Sequence, residues 1–191
     1  TGSNIKRVDS ETAAPIETIT REDIQASGLN TISDVVRRIT ANSNGTVSDS
    51  FTNGFAGGGA SAVSLRGLGS NNTLVLINGR RLANTGLADD GQYSFVDLNQ
   101  MPFDLVQRIE ILKDGASAIY GSDAVAGVIN VILRQQFTGV TLTGNAGTTS
   151  EGDGNVYKGA ITAGIGDLTK DRYNAYISLD AFKQDAIKLT D

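Results

Sequence analysis

The sequence predicts an α+β chain: a small mixed β-sheet with short helices, followed by a run of antiparallel strands. Three observations predict it. Glycine numbers 23 against two prolines, which suits tight turns and extended strands better than a helical bundle. Up to about residue 136 short helical patterns alternate with apolar, strand-like runs, as in a sheet with helices packed against it. Beyond residue 136 three segments alternate apolar and polar residues with a period of two.

Pro15 to Thr20, PIETIT, reads as a short strand or extended arm. Thr20 then serves as candidate N-cap, with Asp23 taking the place of the usual glutamate in a capping box, and Gly28 supplies a stop, so a short helix is expected between them. Thr31 to Ile39, TISDVVRRI, repeats the capping signal with Thr31 and Asp34. It sets Ile32, Val35, Val36 and Ile39 at i, i+3, i+4 and i+7, the spacing of one helix face. Ala41 to Ala62 turns to Asn, Ser, Gly and Thr around Phe51 and Phe55, a composition that cannot fill a core and reads as a long loop.

Val63 to Arg66 and Thr73 to Ile77 read as strands, the second a continuous apolar run suited to a sheet buried on both faces. Asn78-Gly79 closes it with a hairpin turn signal. A second polar loop, Asn84 to Ser94, carries Asp89, Asp90 and Tyr93. A helical turn is expected at Phe103 to Val106, a strand at Arg108 to Leu112, a short helix at Ala116 to Tyr120 and a last apolar strand at Val128 to Leu133.

The tail, residues 137–191, differs in kind. Val140 to Thr148, Val156 to Ile165 and Tyr173 to Phe182 each have about the length of a tilted strand crossing a bilayer. In the third, Tyr173, Ala175, Ile177, Leu179 and Ala181 share one face, and Asn174, Tyr176, Ser178 and Asp180 the other. In the second, Tyr157, Gly159, Ile161, Ala163 and Ile165 oppose Val156, Lys158, Ala160 and Thr162. The first splits Val140 and Leu142 from Thr141, Thr143 and Asn145. On periodicity alone an ordinary half-buried antiparallel sheet fits as well.

Composition narrows the chemistry. Cysteine and histidine are both absent, which removes disulfides, thiolate metal sites, the commonest zinc ligand and every Ser-His or Cys-His relay. The net charge of -5 is the reverse of what phosphate neutralisation demands, so no nucleic-acid partner is expected. No stretch reaches the roughly 18 apolar residues of a membrane-spanning helix. Gly67-Leu68-Gly69 lacks the third glycine of a dinucleotide fingerprint. Asp89-Asp90-Gly91 and Glu151-Gly152-Asp153-Gly154-Asn155 cluster oxygen ligands without EF-hand spacing, so neither a metal nor a cofactor is expected.

Three segments carry a resemblance to a known family: PIETITREDIQASGLNTISDVVRRI, SLRGLGSNNTLVLINGRR and RIEILKDGASAIYGSDAVAGVINVIL. In this order, across about residues 15 to 134, they resemble the plug domain of TonB-dependent outer-membrane receptors. Two departures stand out: Asp114 where many relatives carry Gly-Pro, and no TonB-box segment ahead of Thr1, which is expected upstream. The resemblance implies a non-enzymatic plug at 1–136 inside a large, about 22-stranded barrel. It makes 137–191 the first three strands of that transmembrane β-barrel. Because three strands cannot close and would leave an apolar face and open edges, the polypeptide is expected to continue past Asp191.

The implied location is the bacterial outer membrane, with the plug in the lumen facing the periplasm. The implied partners are the TonB complex, the remaining barrel, outer-membrane lipid and a small nutrient ligand such as a siderophore, cobalamin or saccharide. Ligand contact is expected from Phe51, Phe55, Asp89, Asp90 and Tyr93 on the two long loops. Arg66 and Lys113 are positions where the resemblance implies contacts with acidic groups on the barrel wall, with Glu110 beside them. The alternative is that both are solvated strand-end charges or pair with Glu110 inside the plug. Arg80 and Arg81 read as surface charges. Two rival functions are open: a soluble, non-catalytic ligand- or protein-binding module whose last strands complete its own sheet, and a hydrolase using Asp89 and Asp90. Adjacent carboxylates on one loop seldom hold the separation that acid/base work needs.

Overall fold

The structure, a computed structural model, describes residues 16–42, 60–85, 94–148 and 154–185. Its chain divides into two compact units, 1–133 and 134–191, a boundary three residues before the expected one.

In the first unit Ile16–Thr20 forms β1, and Thr20 turns the chain into helix α1, Arg21–Ser27. The capping box is complete: Asp23 N–H donates to the Thr20 hydroxyl at 3.2 Å and Thr20 N–H donates to Asp23 Oδ2 at 2.9 Å. The Thr20 hydroxyl, which also donates to Asp23 Oδ2 at 2.7 Å, and then the Thr20 N–H hold the Asp23 carboxyl below the usual aspartate range. Gly28 ends the helix at φ 67°, a conformation open to glycine at no steric cost. Helix α2, Ile32–Arg37, is capped by Thr31, whose hydroxyl accepts from Asp34 N–H at 3.1 Å. It stops two residues short of the expected end, although Ile39 still points into the core.

The strand expected at 63–66 does not form. Residues 61–64 are irregular and only Leu65 makes an isolated bridge, to Asn42. The reason is visible in the backbone bonding. Ser64 N–H goes to Asn42 Oδ1 at 3.3 Å and Leu65 N–H to Thr73 Oγ1 at 3.0 Å, so side chains satisfy the donors that a strand partner would take. The residues from Ser61 to Leu65 are all buried, without the alternation of a half-buried strand.

β2, Thr73–Ile77, turns at Asn78-Gly79 (φ 49° and 76°) into the two-residue strand β3, Arg80–Arg81. Positive φ at both central residues is the hairpin turn that an Asn-Gly pair favours. A 3-10 turn at Phe103–Leu105 leads into β4, Val106–Leu112. Helix α3, Ser117–Tyr120, and a 3-10 turn at Ser122–Ala124 precede β5, Gly127–Leu133. The sheet order is β1-β4-β5-β2-β3, with β2 and β5 parallel and the other pairs antiparallel. Gly127 admits no other residue: at φ 136° a Cβ would lie 2.4 Å from the Leu112 carbonyl oxygen.

Both faces of this sheet are covered. On one, Val75, Ile109, Ile111, Ile129 and Val131 pack with Ile24 of α1, Val35 and Val36 of α2, and Leu65. On the other, Leu74, Leu76, Leu112 and Val128 meet Ala116 and Ala124 beside α3. Such three-layer burial explains why the β2 and β5 sequences are apolar without alternation.

The second unit is a three-stranded antiparallel sheet: β6, Gly139–Gly147; β7, Val156–Ile165; and β8, Ala175–Gln184. Directly paired residues line up in rows. Val140, Ala163 and Ile177 form one row and Leu142, Ile161 and Leu179 the next on the same face. Thr141, Thr162 and Ser178 form a row on the opposite face, where the Thr162 and Ser178 hydroxyls lie 2.8 Å apart. The faces expected from the sequence are thus the faces found. Phe182 departs from the pattern, standing in the row of Asn145 and Lys158. No helix among the described residues is long and apolar enough to cross a membrane.

Candidate functional site

Phe51, Phe55, Asp89, Asp90 and Tyr93 lie outside the described residues, as do Glu151 and Asp153. The bases of the two loops that carry the first five are described, and they meet. Thr85 N–H donates to the Phe95 carbonyl at 2.8 Å and Asn84 Nδ2 donates to Ser94 Oγ at 2.9 Å, closing the neck of the second loop. Phe95 then packs on Ala62, the last residue of the first loop. Beneath them Asp97 Oδ1 accepts from Ser61 N–H at 3.0 Å and from Asn99 N–H at 3.0 Å, while Leu98 N–H donates to the Ser61 carbonyl at 2.9 Å. The described C-terminal flank of the first segment and both flanks of the second therefore meet in one brace. Sequence reading chose the loops but missed the brace, because Ser61 and Asp97 are 36 residues apart and neither has a local signature.

Arg66 sits at φ 56°, the left-handed region, just after its buried neighbour Leu65. Non-glycine residues are held there at a cost of order 1–3 kcal/mol. Two hydrogen bonds offset it: Nη2 donates to the Val125 carbonyl at 2.8 Å and Nε to the Ala126 carbonyl at 3.2 Å. The guanidinium thus stitches SLRG to DAVAG, two segments that sequence alone leaves far apart. Lys113 Nζ lies 2.7 Å from Glu17 Oε2, tying the end of β4 to β1. Glu110 Oε1 accepts from Arg108 Nε at 2.9 Å, with Nη2 at the same distance. Each expected wall-contact residue therefore has a partner of its own inside the first unit, and the Lys113 partner is Glu17, not the Glu110 considered in the sequence.

Arg81 is an exposed charge, as expected, and it also pairs with Asp123 and donates to the Tyr120 carbonyl, clasping β3 to the turn after α3. The guanidinium, helped by the Ser122 hydroxyl, holds the Asp123 carboxyl below the usual aspartate range. Among the described residues no three acidic side chains gather in a geometry that could hold a metal.

Taken together, the first unit is a mixed-sheet domain in which Ser61, Asp97 and Phe95 brace the described flanks of two segments, followed in sequence by a sheet whose large apolar side chains are exposed. Its sequence matches the family model described as the TonB-dependent Receptor Plug Domain over residues 8–128, and the chain belongs to that family. Solved structures are similar over nearly its whole length. The siderophore receptor PirA from Acinetobacter baumannii matches with a TM-score of 0.65 and 22% identity, over 88% of this chain and 24% of that one. A mutant of the ferric enterobactin receptor PfeA from Pseudomonas aeruginosa, in complex with enterobactin, matches at 0.64 and 24%, over 92% and 26%. The siderophore receptor PirA from Pseudomonas aeruginosa matches at 0.55 and 26%, over 92% and 30%. The chain spans 24 to 30% of the length of these three receptors.

Proposed function

We propose that this chain is the plug and the opening wall strands of an outer-membrane receptor that binds a scarce nutrient and imports it with energy relayed by TonB. The observation that carries the reading is the inverted second unit. Val140, Leu142, Ile161, Ile177 and Leu179 are all exposed, from 42% to 77%, on the apolar face of β6–β8, while Thr162 on the opposite face is 5% exposed. A water-soluble sheet buries such rows; a strand against lipid displays them. The soluble-module alternative needs β6–β8 to complete a sealed core, and the exposed rows weigh against it.

The cargo we favour is a siderophore, the class named for the similar solved receptors. Cargo would meet Phe51, Phe55, Asp89, Asp90 and Tyr93, which belong to the two segments whose flanks the Ser61–Asp97 brace joins. Lys113, Arg66 and Glu110 would turn to the wall only by giving up their present partners, which makes them exchangeable latches in this scheme. The TonB complex would engage a segment ahead of β1, and the protein would reside in the bacterial outer membrane, in contact with its lipid.

The test is growth of a strain lacking the full-length receptor, under iron limitation, on single iron sources including ferric enterobactin and on cobalamin and saccharide panels. Loss of growth on one iron chelate, matched by loss of TonB, is expected. Unchanged growth on every chelate, with a defect confined to a saccharide or cobalamin, would overturn the siderophore assignment.

A further inference from the structure

Ser61 is fully buried, and its N–H, carbonyl and hydroxyl all go to one turn. The N–H donates to Asp97 Oδ1 at 3.0 Å, the carbonyl accepts from Leu98 N–H at 2.9 Å, and the hydroxyl donates to Asn99 Oδ1 at 3.1 Å. A carboxylate and the next residue's N–H, meeting the N–H and carbonyl of a single residue, reproduce the exchange of an antiparallel strand pair with a side-chain oxygen in place of a backbone one. Asp97 Oδ1 carries a second bond, from Asn99 N–H at 3.0 Å. That one is the local Asx turn that starts the 3-10 turn Leu98–Gln100. The bond to Ser61 is additional, and a local turn does not need it.

The place of this junction gives it a use. The residues on either side of 43–59 are tied to each other: Arg66 N–H donates to the Ala41 carbonyl at 2.7 Å, and Ser64 N–H donates to Asn42 Oδ1 at 3.3 Å. The residues on either side of 86–93 are tied likewise, by Thr85 N–H on the Phe95 carbonyl at 2.8 Å and by Asn84 on Ser94. Ser61 belongs to the first neck and Asp97 to the second, so their bond joins the two. The junction also has a fixed foot, because Leu98 and Met101 are buried with Val35 and Val36 of α2 and with Val63.

We propose that Asp97 is a positioning residue that makes the flanks of 43–59 and 86–93 one mechanical unit, so that cargo engaging either segment acts on the flanks of both. The inference deepens the import reading and rests on it for the word cargo alone. Its physical content is a coupling: with the Ser61 bond in place the two necks open together, and without it each opens by itself. The other links between them are the neutral bonds of Leu98 and Asn99 and the apolar contact of Phe95 with Ala62. A bond to a carboxylate is about twice as strong as a neutral one, so Asp97 carries the largest share.

Hydrogen exchange resolved at single amides of the full-length receptor in detergent tests the coupling without cargo or TonB. Asp97→Ala is expected to speed exchange at the Ser61 amide about tenfold or more, the scale of one lost hydrogen bond to a charged group. It should also speed Ser64 and Thr85 about threefold, although Asp97 bonds neither, and leave the β5 amides unchanged. Asp97→Asn keeps an acceptor oxygen in place and should return Ser64 and Thr85 close to the rates of the unsubstituted receptor. Should Asp97→Ala fail to fold, Asp97→Glu displaces the carboxylate by one methylene and is expected to speed Ser61 and Thr85 together. Acceleration confined to Ser61 and Asn99 in either variant, an equal acceleration that includes β5, or no rescue by Asp97→Asn would overturn the proposal. None of these results touches the import reading, which the growth test decides.

Discussion

The two units of this chain solve opposite problems with the same residues. In the first, isoleucine and valine go inward: Ile109, Ile111, Ile129 and Val131 are fully buried, and polar groups that must enter the interior find partners, as Asn130 Oδ1 does with Gly79 N–H at 2.9 Å. In the second, isoleucine and leucine go outward and the hydroxyl and amine groups of Thr162 and Lys158 go inward. Burial of apolar surface drives the first arrangement in water. The second is favourable only where the outside is itself apolar, because then the backbone must be satisfied within the sheet while the side chains need no cover. One polypeptide therefore contains a unit that buries its branched aliphatic side chains and a unit that displays them, and the division between the two falls between Leu133 and Arg134.

The same substitution made in each unit should break the symmetry most strongly. Ile129→Ala is expected to cost about 2–5 kcal/mol, because a fully buried side chain leaves a cavity. Ile161→Ala should cost far less in the membrane-embedded receptor, since lipid fills the space. Urea dependence of proteolytic resistance in the plug, compared with the heat-modifiability of the barrel on gels, reads the two effects separately. Equal losses would mean that Ile161 belongs to a closed core.

Charge sharpens the contrast at the next level. Ile161→Lys on the outward row is expected to cost about 2–4 kcal/mol if it sits near the bilayer midplane. Asp180→Lys on the opposite face should be tolerated, since that face is polar and Asp180 is already charged and exposed. Yield of folded receptor in the membrane fraction ranks the two variants, and the reverse order would contradict the assignment of faces.

The smallest effect concerns the plug alone. The folded Asp123 carboxyl is held below its ordinary value of about 3.9 by Arg81. The unfolded chain then binds the extra proton more readily, so stability from this pair is present above about pH 4 and lost as the pH falls through the depressed folded value. Since both side chains are half-exposed, the change is small. Asp123→Asn should flatten the pH dependence of plug stability below about pH 4 without altering it at neutral pH by more than the loss of one surface pair. An unchanged acid slope would remove Arg81–Asp123 from the account.

Local signals made much of this legible. The capping pairs at Thr20 and Thr31, the Gly28 stop, the Asn78-Gly79 turn and the alternation of β6 to β8 each depend on neighbours within a few residues, and each stands where the sequence put it. What failed depended on distance. Val63 to Arg66 looks like a strand, but the Ser64 and Leu65 N–H groups go to the Asn42 and Thr73 side chains, and no local pattern announces that exchange. Arg81 is the surface charge it looks like, but its pairing with Asp123, 42 residues away, has no local signal. The loop residues chosen for cargo lie outside the described structure, whereas the brace beneath them, Ser61 with Asp97, carries no motif. Asn174 reads as one more polar residue on an alternating strand; its two bonds to Phe137 and its bonds to the Ile165 and Gly166 carbonyls have no local signal.

The account's central claim is that the outward rows of β6–β8 face lipid. Spin labels placed one at a time at Leu142, Ile161, Thr141 and Thr162 of the full-length receptor in bilayers test it most directly, through collision rates with oxygen and with a water-soluble nickel chelate. Labels at Leu142 and Ile161 should collide with oxygen and be shielded from nickel, and labels at Thr141 and Thr162 should show the opposite preference or be shielded from both. Nickel access at Leu142 and Ile161 equal to or above that at Thr141 and Thr162 would contradict it.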